Sequence, residues 1–71
     1  MFLTANRLDF ITFCIEMYAA EKGASGQNVF RQFDRCGVLE YLSNNYEALH
    51  TQGINYIIPL VEEWMQTEAK Q

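Results

Sequence analysis

The sequence predicts an all-α fold, a compact bundle of three to four short helices, on three observations. Apolar residues recur at three- and four-residue spacing along most of the chain. No stretch alternates apolar and polar residues long enough to make a convincing strand. The punctuation is helical as well, with Thr4 and Ser25 where N-caps are needed, Gly23, Gly26 and Gly37 where helices stop, and Pro59 near the start of the last periodic run.

Thr4 is the expected cap of a first helix over residues 5–22, ended by the break that Gly23 and Gly26 bracket. On a helical projection Asp9, Thr12 and Glu16 form one narrow polar wedge. Leu8, Ile11, Ile15, Tyr18 and Ala19 make one apolar face, and Phe10, Phe13, Met17 and Ala20 make another roughly opposite. A helix apolar over most of its circumference is buried on more than one side, so it is expected at the centre of the bundle or in a dimer interface.

Ser25 is expected to cap a second helix that runs to about Cys36 and buries Val29, Phe30, Phe33 and Cys36. Gly37 stops it, because glycine enters the left-handed conformation at low cost. A third segment carries Val38, Leu39, Tyr41, Leu42, Tyr46 and Leu49, kinked or split around Ser43-Asn44-Asn45, and ends near 50–53. The last helix is expected to start between Asn55 and Pro59, since proline lacks an amide donor and fits a first turn best. Ile57, Leu60, Val61, Trp64 and Met65 line its apolar face, opposite Glu62, Glu63, Gln66 and Thr67, and residues 68–71 are expected to fray. Residues 54–58 could start extended.

Seventy-one residues make a single small domain, 1–71, with no internal repeat, linker or low-complexity tract. A chain this short buries only roughly 60% of its unfolded surface, so its core is thin. With 49% hydrophobic and 14% aromatic residues, a partner chain is the natural supplement, and a homodimer is expected. Cys14 and Cys36 are too few, and too embedded in apolar periodic segments, for the disulfide framework of a secreted mini-protein. The N-terminal residues 1–7 do not read as a signal peptide, and no run approaches the ~18 apolar residues of a membrane span, so a reducing cytoplasm is expected. A net charge of −4, with five dispersed Lys and Arg residues, argues against a nucleic-acid binder.

No catalytic constellation emerges. His50, the only histidine, sits near a helix end, where it can favour the helix dipole or donate to a terminal carbonyl. No nucleophile is placed beside it by motif. Cys14 and Cys36 lie on apolar helix faces, as core thiols do, and Cys-x-x-Cys spacing for a metal is absent. Adjacent Glu62 and Glu63 point in different directions on a helix and form no carboxylate pair. No catalytic residue, cofactor or metal is therefore expected.

The helices around Cys36-Gly37-Val38 have the outline of a helix-turn-helix. A recognition helix displays Arg, Lys, Asn or Gln, whereas this one offers Glu40, Ser43, Asn44, Asn45 and Glu47. A DNA-associated regulator is thus the alternative to the favoured reading, an interaction module. Its candidate surface is the second apolar face of the first helix with aromatic residues elsewhere: Phe10, Phe13, Met17, Tyr46, His50, Tyr56 and Trp64.

Asp9-Phe10, Phe13-Cys14-Ile15-Glu16, Tyr18, Ser25-Gly26, Val29, Phe33, Gly37-Val38-Leu39-Glu40-Tyr41-Leu42 and Asn45-Tyr46-Glu47-Ala48-Leu49-His50-Thr51-Gln52-Gly53 with Tyr56-Ile57-Ile58 carry a resemblance. Together they resemble a family of short, uncharacterised bacterial proteins over nearly the whole chain, with Leu49-His50-Thr51-Gln52-Gly53 as the most specific run. An acidic residue is common in that family where this chain has Pro59. The resemblance implies a small cytoplasmic helical protein. It also implies that the gene accompanies one for a second family likened to ADP-ribosyltransferases, so that the chain would be a binding partner or antitoxin-like neutraliser of an adjacent gene's product.

Overall fold

The computed structural model describes residues 6–69, with side chains through 67. Five helices follow one another among these residues: α1 (Arg7–Lys22), α2 (Gly26–Arg35), α3 (Val38–Asn44), α4 (Tyr46–Leu49) and α5 (Ile54–Ala69). The all-α expectation holds, and the helix count exceeds the three or four expected because the third segment is fully divided.

Asn6, not Thr4, caps α1: its side chain accepts from the Asp9 N–H at 2.9 Å, and the helix starts at Arg7. Thr4 itself lies outside the described residues. At the other end Gly23 takes a φ of 66°, and the Ala24 N–H closes onto the Ala19 carbonyl at 2.9 Å, the six-to-one bond of a Schellman stop.

α1 packs against α2, α3 and α5, as a central helix does. Its two expected apolar faces merge into one buried surface of Phe10, Cys14, Tyr18 and Ala19, with Ile11 and Ile15 packed at its edge. The i, i+4, i+8 row 10–14–18 and the adjoining row 11–15–19 lie side by side. Leu8 and Ala20, at the ends of the projection, are exposed.

Ser25 caps α2, accepting from the Asn28 N–H at 3.1 Å. Val29 and Phe33 are buried, but Phe30 is not: it is 48% exposed, against the expectation that it belonged to the buried stripe. One residue beyond Val29 is about 100° round the helix, and α2 rests on its neighbours through the 29–33 row alone. Gly37, at a φ of 78°, turns the chain within two residues into α3.

Asn45 divides the third segment. Its backbone N–H and its side-chain amide, at 3.1 and 2.8 Å, both donate to the Tyr41 carbonyl, and α4 follows as a single turn. α5 begins at Ile54, earlier than expected, because the Gly53 carbonyl already accepts from the Tyr56 and Ile57 N–H groups. Pro59 consequently falls in the second turn, where its missing N–H leaves the Asn55 carbonyl without a helical donor. Ile57, Ile58, Val61 and Met65 are its buried face. Of the end expected to fray, the backbone at 68–69 is helical and 70–71 lie outside the described residues.

The core draws on every helix, adding Val38, Leu42 and Leu49 from α3 and α4 to the residues above. Tyr18 and Phe33 meet edge to face at 5.2 Å between centroids. Lys22 pairs with Glu62, joining the end of α1 to α5 at the surface.

Candidate functional site

The seven residues of the candidate surface do not form one patch. Phe10 is in the core at 2% exposure, where it meets Tyr46 of α4 edge to face at 5.6 Å. His50 lies one turn beyond Tyr46, and the two rings stack at 4.5 Å and 19°. Its Nδ1 is 2.8 Å from the Tyr46 carbonyl. A carbonyl only accepts, so Nδ1 carries the hydrogen and donates. The backbone N–H of His50 reaches the same oxygen at 2.8 Å. His50 is thus held by the end of its own helical turn, the structural role that its position suggests.

Arg7 completes this cluster, and nothing local in the sequence announced it. Its guanidinium lies 5.3 Å from the Tyr46 ring centroid, while its Nε donates to the Ser43 carbonyl at 3.0 Å. The cation thus sits at the C-terminal end of α3, where the helix dipole favours it.

Trp64 belongs to a separate cluster. Its indole N–H donates to the Cys36 carbonyl at 2.9 Å and its ring stacks on Tyr41 at 4.5 Å and 25°. Phe13 and Met17 are half-buried on α1, and Tyr56, at 55% exposure, lies on the first turn of α5. Sequence reasoning missed Leu8 and Phe30 as surface residues, 71% and 48% exposed. Placing them needed the angle at which α2 docks and the depth of the α1 ends, and neither has a local signal.

The chemistry available is limited. Burial pushes the Cys14 thiol up to about 12, so it stays neutral at neutral pH. Cys36 is also a free thiol, half-buried at the α2–α3 corner. Among the described residues no group of three His, Cys, Asp or Glu could hold a metal ion, and no buried side chain is ionisable in the manner of a catalytic carboxylate. Likewise, no described helix is long and apolar enough to cross a membrane.

The α2–turn–α3 pair has helix-turn-helix order, yet α3 is seven residues long and exposes Glu40 and Asn44. Of the exposed cations near it, Arg7 is engaged by Ser43 and Tyr46, and Arg31 and Arg35 are on α2 beside Asp34.

Compared with known families, residues 9–68 match the one described as Protein of unknown function (DUF3791). The match spans Leu49-His50-Thr51-Gln52-Gly53 without singling that run out as a signature. No curated protein and no solved structure matches.

Proposed function

The chain belongs to the DUF3791 family of proteins of unknown function, and from that premise we propose that it is a non-enzymatic interaction module of the cytoplasm. It self-associates and engages a second protein, the product of an adjacent gene. The observation that carries this reading is the apolar surface left over after the core is complete: Leu8, Phe30 and Tyr56 stand 71%, 48% and 55% exposed. Phe13 and Met17 are only half-covered. A partner docked over any of these side chains would remove its apolar area from water.

Sedimentation equilibrium over a concentration series tests the self-association, and co-expression with the neighbouring gene's product tests the second partner. The expected results are a mass that rises toward twice 8.3 kDa and a complex that co-elutes. A strict monomer that forms no complex would remove both parts of the proposal.

A further inference from the structure

We infer that the second copy docks on the outer face of α2, antiparallel to it about a two-fold axis, with Arg31 of each chain against Asp34 of the other. The inference rests on the self-association proposed above and assigns it a place and a register.

α2 packs against both α1 and α3 yet leaves one long face open to solvent. Only Val29 and Phe33 are buried, while Gln27, Phe30, Arg31, Asp34 and Arg35 are exposed. Positions 27, 31 and 35 form one i, i+4 row, and 30 and 34 form the row beside it. Phe30 stands at the middle of that surface, 48% exposed and without the hydroxyl that reconciles Tyr56 to water. The only ion pair among the described residues joins Lys22 to Glu62, so Arg31, Asp34 and Arg35 have their charges unspent within the chain.

Charge selects this face over the others. The chain carries a net −4, and the exposed ionic side chains of α3 and α4 are Glu40 and Glu47. The solvent side of α1 bears Asp9, Glu16 and Glu21, its two cations being already engaged, Arg7 by Ser43 and Tyr46 and Lys22 by Glu62, and that of α5 bears Glu63. Two copies meeting through any of these would set carboxylate against carboxylate. Among the described residues α2 alone presents both signs within two turns with no partner in its own chain. In an antiparallel pair centred between 31 and 34, each Arg31 meets the opposite Asp34, and each Arg35 stem lies over the opposite Phe30. The contact repeats itself by symmetry and closes at two copies. A helix of ten residues is about 15 Å long and offers less than the roughly 800 Å² per partner of a standard interface, so the dimer is weak and its register is set by charge.

The test uses the full chain, with Arg31→Glu and Asp34→Arg compared in sedimentation equilibrium at low salt. Each variant alone sets like charges opposite one another and is expected to weaken self-association by about tenfold or more. An equimolar mixture of the two restores complementary pairs and is expected to recover a one-to-one dimer, as is the double variant R31E/D34R. Circular dichroism confirms helix content, and the neutral pair Arg31→Gln and Asp34→Asn, each weaker than the parent, serves if a reversal disturbs the fold.

If the parent associates and all these variants associate equally well, the α2 face is not the interface, although self-association stands. Tighter association of Asp34→Arg would mean that α2 meets an acidic surface of the next copy, which overturns the two-fold arrangement. A parent that is monomeric at every concentration removes the self-association and this inference together.

Discussion

Cys14 shows how burial sets chemistry at a single residue. At 2% exposure its thiol is held neutral, with its pKa pushed from 9.0 to about 12. Tyr18 is raised from 10.0 by burial first and by the Glu62 charge second, and Lys22 is raised from 10.5 by its hydrogen bond to Glu62. In all three cases the folded value lies above the unfolded one. Their contribution to stability is therefore complete below the unfolded values and lost as pH rises through the folded ones. Urea midpoints should fall as pH rises above about 8, the thiol alone contributing up to about 1.4 kcal/mol per pH unit. Cys14→Ala should lessen that slope without abolishing it; an unchanged slope would mean that the thiol is not held neutral. Thiol-reactive reagents at neutral pH should modify Cys36 well before Cys14, and equal rates would contradict the burial. Trp64→Phe should cost about 1 kcal/mol by leaving the Cys36 carbonyl without its donor.

At the scale of helices, the ends decide most of what can be changed. Gly37 has a φ of 78°, so Gly37→Ala should destabilise by about 1–2 kcal/mol through backbone strain, although the new Cβ meets nothing closer than the Trp64 nitrogen at 3.9 Å. Pro59→Ala should do the opposite. Restoring an N–H to the second turn of α5 should add at least about 1 kcal/mol, read as a rise of several degrees in Tm. A neutral outcome would show that the turn has already relaxed around the proline.

These ends also show which elements were legible in the sequence. The Ser25 cap acts through its own hydroxyl and the Gly37 stop through its lack of a Cβ, and both stand where the residues put them. Asn45, whose amide reaches back to Tyr41, divides the third segment where a kink or break was expected. The start of α5 was not legible, because the local preference of proline for a first turn lost to the burial of Ile57 and Ile58, which draws the helix back to Ile54. Phe30 and Phe10 exchanged places for a similar reason. Periodicity tells which residues share a row, but the neighbouring helices decide which row they cover. His50 was legible as a helix-end residue, whereas the Arg7–Tyr46 contact joins positions too distant for any local pattern.

The whole molecule is as condensed as a chain of its length can be expected to become. Its radius of gyration of 11.3 Å agrees with about 11 Å from the scaling of folded domains. Its core draws on all five helices, so the association proposed above would join protomers that are already folded. The thermal midpoint should accordingly depend little on protein concentration in dilute solution; a midpoint that climbs steeply on concentration would mark an obligate dimer instead. The surface charge of −4 makes added salt assist a contact between acidic faces and weaken one made by opposite charges. Salt dependence of association therefore reads which kind of face is in use. The only tryptophan adds an optical readout of a different event. With its indole tied to Cys36 and stacked on Tyr41, its emission reports whether the last helix is seated on the corner between the second and third. A red shift that precedes the loss of helical signal would reveal that seating as the first contact to open.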